Sequence, residues 1–135
     1  MWSQWGKVQG IAMSKTLFEH YGGFTTIRRI VIDLYEGILD SEQLSRYFEG
    51  TDMRLMIDHQ TKFIAQLMGG PISYSDEALQ RLHAAHSIKS PAFDEMAVLL
   101  KQTLLDHGIA SGDVADISNQ IYRRKHYIVS GDLDG

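Results

Sequence analysis

The sequence predicts an all-α protein with about five main helices, and three observations carry that reading. Apolar residues recur at helical spacing in most of the chain, and no segment alternates apolar and polar residues between turn signals. The glycine pairs Gly22-Gly23 and Gly69-Gly70 stand between periodic segments and read as sharp corners, the second of them a bend after the third helix. Only two prolines, Pro71 and Pro91, interrupt the chain, and there is no repeat or low-complexity tract.

Ile27, Ile30, Val31, Leu34 and Ile38 follow the i, i+3, i+4 rule and define the first long helix. A short helix is expected around Gln43 to Glu49. Met56, Gln60, Phe63 and Leu67 share one stripe of the third. Ser75 is a good N-cap for a short helix carrying Leu79, Leu82 and His83. Ser90-Pro91 reads as a cap followed by proline at the first helical position. The helix it opens carries Phe93, Met96, Ala97, Leu100 and Leu104, and Gly108 terminates it. A last helix is expected from about Ser111 to Val129, with Val114, Ile117 and Ile121 inward.

A chain of 135 residues suits one domain with one modest core. The expected division is an N-terminal extension over 1–15, a domain over 16–130 and a flexible tail over 131–135. The net charge of −4 leaves no basic surplus for a row of phosphates, so nucleic acid is excluded as a main partner. The one basic cluster, Arg123 to His126, reads as a solvated helix end. The absence of cysteine excludes disulfides, thiolate zinc sites and iron–sulfur clusters. No apolar run approaches the roughly 20 residues of a membrane span, and Met1 to Lys15, with Trp2 and Trp5, lacks a signal-like pattern. A cytoplasmic monomer without membrane attachment is the expectation. No spaced carboxylate pair, phosphate-cradling glycine loop or nucleophile elbow is present.

The informative anomalies are polar groups on apolar stripes. Gln60 shares its stripe with Met56, Phe63 and Leu67; His83 shares a face with Leu79; Tyr35 follows Leu34 on a strongly apolar helix. Each can be satisfied by a carbonyl or water, but an unpartnered buried polar group costs about 1–3 kcal/mol. Three together make a bound polar cofactor attractive. Haem meets the need: its iron takes a neutral imidazole on one side. On the other side, a diatomic ligand that draws negative charge wants donors such as the Tyr35 hydroxyl and the Gln60 amide. Phe48, Phe63, Leu67, Leu82 and Phe93 are candidates for the walls around the ring.

Several strings then carry a family resemblance. Leu17-Phe18-Glu19-His20-Tyr21-Gly22-Gly23, Leu34-Tyr35, Tyr47-Phe48-Glu49-Gly50-Thr51-Asp52-Met53 and His59-Gln60-Thr61-Lys62-Phe63 through Gly69-Gly70-Pro71 follow in order. His83-Ala84-Ala85-His86-Ser87-Ile88 and Pro91-Ala92-Phe93-Asp94 complete the set. In order and spacing they resemble the group I truncated haemoglobins, most of all the cyanobacterial members, over roughly Thr16 to Val129. The resemblance implies a two-on-two helical sandwich around haem b, with a reduced first helix and a loosely structured stretch before the proximal histidine.

It further implies that His83 is the proximal iron ligand. His86 is a rival by helical spacing alone; the distances to Gly70 and Phe93 favour His83. A zinc pair of His83 and His86 would lack further ligands. Tyr35 and Gln60 match the ligand-stabilising pair, Met56 a gate position, and Ile88 the haem wall. His59 falls where cyanobacterial relatives carry a histidine that can take the sixth iron position; the alternative is a partly exposed histidine near a propionate. His126 falls where they carry one that can bond to a haem vinyl carbon; the alternative is a solvent-facing ring. Lys62, Arg81 and Tyr74 are candidates for propionate contacts. His20 and His107 carry no special signal.

The function implied is binding of O2 and NO at haem, with oxidation of nitric oxide to nitrate and an electron donor as partner. Three alternatives stand beside it: a bis-histidyl haem for electron transfer or redox and gas sensing, a sensor module of a longer protein, and a helical interaction domain without cofactor.

Overall fold

The computed structural model describes residues 15–75, 77–78 and 87–129. Every regular element among them is a helix: α1 (Leu17–His20), α2 (Gly23–Asp40), α3 (Glu42–Ser45), a 3-10 turn (Arg46–Phe48), α4 (Met53–Leu67), α5 (Ser90–Asp106), α6 (Ser111–Arg123) and α7 (Lys125–Ile128). The extension and tail lie outside the described residues apart from Lys15, as do Leu79, Arg81, Leu82, His83 and His86.

The single turn of α1 is made by a capping box. Thr16 Oγ1 accepts the Glu19 N–H at 3.1 Å, and Glu19 Oε1 accepts the Thr16 N–H at 3.1 Å. Gly22 and Gly23, at φ 104° and 72°, then turn the chain into α2 in a conformation that side chains disfavour. The stripe expected on α2 is buried in full: Ile27, Ile30 and Val31 have no exposed surface. Ser41 ends α2 and begins α3. Its hydroxyl accepts the Leu44 N–H at 3.2 Å and donates to Glu95 of α5 at 2.8 Å. Asp52 caps α4 by accepting the N–H groups of Arg54 and Leu55 at 3.1 and 3.3 Å.

Helix α2 packs chiefly on α4 and on α5, α5 on α6, and α4 on α6. The pair α2/α4 thus lies against the pair α5/α6, the two-on-two sandwich that the sequence led us to expect. Polar contacts fix the edges. The Tyr21 hydroxyl donates to Asp113 Oδ2 at 2.5 Å and accepts the Ala110 N–H at 3.1 Å, pinning the first corner to the start of α6. His107, at the end of α5, places Nε2 2.6 Å from Asp33 Oδ2 of α2.

Three expectations need adjustment. Ser90 is not the cap of α5: Lys89 holds the extended cap conformation, its carbonyl accepts the Phe93 N–H at 2.9 Å, and Ser90 is already helical. The last helix is not continuous to Val129. It breaks at Arg124 (φ −102°, ψ 5°), whose guanidinium donates to the Gln120 carbonyl at 2.9 Å. The basic run therefore straddles a break rather than closing one helix. Ser75 does act as expected, its hydroxyl accepting the Ala78 N–H at 3.1 Å.

Gly70 marks a close-packed corner. A Cβ there would meet Phe18 Cδ1 at 2.8 Å and the Ala65 carbonyl oxygen at 2.9 Å. Gly70→Ala should lower unfolding free energy by about 1–3 kcal/mol. Gly112→Ala, with nothing within 4 Å, should be neutral or stabilising by up to about 1 kcal/mol. Denaturant titration of both variants checks the contrast; equal effects would contradict the close packing of the corner.

Candidate functional site

Between the two helix pairs lies a cleft of about 660 Å³, counting the space open to solvent. Helix α2 contributes Leu34, Tyr35 and Ile38, and the 3-10 turn contributes Phe48. Helix α4 contributes Met56, Gln60, Phe63 and Ile64; α5 contributes Phe93, Met96, Ala97 and Leu100. Ile88, Ile121 and Ile128 complete the lining. Among the described residues the wall is hydrocarbon and aromatic except at Tyr35 and Gln60.

These two residues define the chemistry of the cleft. Tyr35 is 5% exposed, and its ring meets Phe48 edge-on at 5.4 Å between centroids. Neither its hydroxyl nor the half-buried Gln60 amide has a hydrogen-bond partner among the described residues. Burial pushes the Tyr35 phenol well above its ordinary pKa, so the group is a neutral O–H donor. An O–H donor and an amide thus enter one apolar space from two helices, α2 and α4, both without a partner.

The remaining residues expected at a site are placed as follows. Phe48, Met56, Phe63, Ile88 and Phe93 line the cleft with Tyr35 and Gln60. His59 does not; adjacent helical residues point about 100° apart, and Gln60 takes the inward direction. His59 Nδ1 is nevertheless buried with no hydrogen-bond partner. Lys62 reaches Asp58 Oδ2 at 3.0 Å on the surface of α4. Leu67 is buried in the core, outside the lining. Tyr74 packs on the core and gives both of its backbone groups to Gln66. His126 is exposed and lies against Tyr127 with ring centroids 4.0 Å apart. Leu79, Leu82 and His83 lie outside the described residues.

Sequence reasoning did not assign Leu34, Ile38, Ile64, Met96, Ala97, Leu100, Ile121 and Ile128 to the site. The available signal was the stripe itself: most are inward positions of the same helices that carry Tyr35, Gln60 and Phe93.

A family model described as bacterial-like globin matches residues 16–130. The chain belongs to the bacterial-like globin family. It is 27% identical over 115 residues to the group 1 truncated hemoglobin GlbN of Nostoc sp. (strain MUN 8820), covering 85% of this chain and 98% of that protein. Among solved structures it is similar to the truncated hemoglobin of Tetrahymena pyriformis in its Fe(III) form, with a TM-score of 0.76 at 24% identity, over 86% of this chain and 99% of that one. It is also similar to the 2/2 hemoglobin of Synechococcus sp. PCC 7002, in the cyanomet state and with covalently attached heme. There the TM-score is 0.77 at 21% identity, over 85% of this chain and 98% of that one. The expectation of a group I truncated globin is met, and membership implies haem-based gas binding.

The residues of this globin fit the group that its family implies. A flat apolar ring needs hydrocarbon and aromatic walls, and all but two of the described lining residues supply them. A gas bound within needs donors where water is excluded, and the two exceptions are donors without partners.

The burial of Tyr35 has a consequence for stability. In the unfolded chain a phenol titrates near pH 10, whereas the folded pKa is raised. Stability from this group is therefore fully present below about pH 10 and is lost as pH rises through the folded value. Unfolding measured from about pH 9 to pH 11 should show falling stability, with a shallower fall in Tyr35→Phe. Tyr21 and Tyr122, also raised, keep some slope in the variant; the first is held by its bond to Asp113, the second mainly by burial. An identical slope in both proteins would contradict the burial of this phenol.

Proposed function

We propose that this globin holds haem b in the cleft, with His83 as the iron ligand on one side and Tyr35 and Gln60 as donors on the other. It binds O2 and NO there and oxidises nitric oxide to nitrate, with an electron donor restoring the reduced state. The observation that carries this reading is the pair of unpartnered donors, Tyr35 and Gln60, in an otherwise apolar cleft of a bacterial-like globin.

Haem, when bound, supplies the iron that takes the gas and the one electron by which NO and O2 combine to nitrate. The chain supplies position and electrostatics. The Tyr35 hydroxyl, held by the edge of Phe48, donates toward charge that gathers on dioxygen. Gln60 donates from the facing helix. Phe63, Ile64, Ile88 and Leu100 keep water out, which strengthens both hydrogen bonds. Met56 places a thioether where a polar gate would compete for the same ligand. Removing one such donor costs about 1.5–3 kcal/mol, so dioxygen should leave Tyr35→Phe about 10- to 100-fold faster in stopped-flow measurement. An unchanged rate would overturn the roles given to this pair. Nitric oxide mixed with the oxygenated protein should yield one nitrate per chain; nitrite or no reaction would sink the oxidation.

One observation favours a second reading. The buried, partnerless Nδ1 of His59 marks a ring without a settled structural role. In this reading His59 is the sixth iron ligand and competes with added gas. Reaching the iron requires α4 to turn, since Gln60 now faces the cleft. A low-spin absorption spectrum lost in His59→Ala supports it; a high-spin spectrum of the unmodified protein removes it. A covalent link from His126 to a haem vinyl carbon is a related proposal, supported by the covalently attached heme of the Synechococcus structure and by Ile128, two residues on, lining the cleft. After reduction, acid and organic solvent should fail to extract the haem; free extraction would refute the link.

A further inference from the structure

Two touching aromatic rings join the cleft to the surface. Phe93 of α5 lines the cleft and is 4% exposed, whereas Tyr122 of α6 is 45% exposed. The rings meet edge to face, with centroids 5.3 Å apart and planes at 87°. The Tyr122 hydroxyl donates to Oδ1 of Asp94, the neighbour of Phe93 on α5, at 3.4 Å. Lys125 of α7 closes the group: its Nζ lies 3.2 Å from the same oxygen, 5.3 Å from the centroid of Phe93 and 5.9 Å from that of Tyr122. Beside Tyr122 the surface forms an open depression lined by Asp116, Asn119, Gln120 and Arg123. Gas binding at Tyr35 and Gln60 uses none of these contacts.

A phenol beside an ammonium group is a poor place for positive charge, so Tyr122 can give up an electron only if its proton leaves with it. Asp94 is placed to take that proton: it already accepts the hydrogen bond, and its carboxylate is about half exposed, so the proton can pass on to water. Phe93 is too hard to oxidise to hold the charge itself. As packed matter between Tyr122 and the cleft, it carries electron tunnelling better than solvent would. We propose that Tyr122 is a second reaction site of this globin, a surface phenol that passes single electrons from dissolved phenols across Phe93 to the cleft when a hydroperoxide is reduced there. Each transfer takes one electron from Tyr122 and moves its phenol proton to Asp94, leaving a neutral phenoxyl radical. A dissolved phenol, ArOH, returns a hydrogen atom to that radical. Asp94 releases its proton to water, and reduction of the peroxide takes up one proton for each electron. After two transfers, ROOH and two ArOH have given ROH, water and two ArO•. The proposal rests on the reading of the cleft as a haem pocket, since haem, when bound, supplies the reduction of the peroxide.

The test treats the haem-loaded ferric full chain with hydrogen peroxide and a nitroso spin trap, then maps the peptides by mass spectrometry. The trap should mark Tyr122; the same mark on the haem-free chain would overturn the link to the cleft. Tyr122→Phe keeps a ring against Phe93 and removes the hydroxyl, so the freeze-quenched EPR signal should lose its Tyr122 component. Asp94→Asn still accepts the hydrogen bond but takes no proton. The Tyr122 radical should then form roughly tenfold more slowly near neutral pH, a smaller loss than that of a well-aligned base because Asp94 is shared with Lys125. Peroxide-driven oxidation of a simple phenol should slow at least as far in Tyr122→Phe. Trap adducts confined to other residues of the haem-loaded chain, or a radical that forms equally fast in Asp94→Asn, would overturn the proposal and leave the haem reading intact. A chain that takes up no haemin would overturn the haem reading and this proposal with it.

Discussion

Tyr35 is a buried residue whose hydroxyl stands at an apolar cleft and meets no hydrogen-bond partner among the described residues. Much of the fold is arranged so that it stays where it is. Helix α2 carries it between Leu34 and Ile38, which are also buried, so its placement follows from the packing of the whole stripe. Phe48, delivered by the 3-10 turn after α3, meets the ring in an edge-to-face contact. Across the cleft, α4 presents Gln60 rather than His59, so the second polar group faces the same space. Two donors without partners among the described residues thus face one apolar space.

The helical architecture was legible because its signals are local. The stripe from Ile27 to Ile38 repeats with the period of the helix, and the glycine pairs stand where the chain turns; Gly22, Gly23 and Gly69 do adopt positive φ. The ordered motifs led to the family, which periodicity alone does not distinguish from other helical folds. The break at Arg124 was not legible, since no glycine or proline marks it. It accompanies tertiary contacts that spacing cannot display. The Arg124 guanidinium occupies the Gln120 carbonyl, and Lys125 is drawn to Asp94 at 3.2 Å and over the ring of Phe93. The turn Thr16–Glu19 was legible in principle, as Thr and Glu three residues apart form a capping box.

The site was legible in its polar members and only partly in its walls. Tyr35 and Gln60 stood out because polarity on an apolar stripe is anomalous. Met96, Leu100 and Ile121 did not, because a residue that lines a cleft and one that fills a core obey the same periodicity. Lys62, expected at a propionate, pairs instead with Asp58 four residues back, an i, i+4 neighbour that helical spacing itself supplies. The amide of Gln66 was invisible. Its value lies in two backbone groups eight residues away, and nothing in composition distinguishes it from a solvated glutamine.

The central claim is that the cleft between α2/α4 and α5/α6 is a haem pocket closed by an imidazole from residue 83. Titration of the purified chain with haemin, followed by absorption in the Soret region, tests it most directly. The account predicts saturation at one haem per chain with the spectrum of an imidazole-ligated iron, loss of that spectrum in His83→Gly, and its return on adding free imidazole. A chain that takes up no haemin, or a His83→Gly chain whose spectrum matches the unmodified protein, would contradict it.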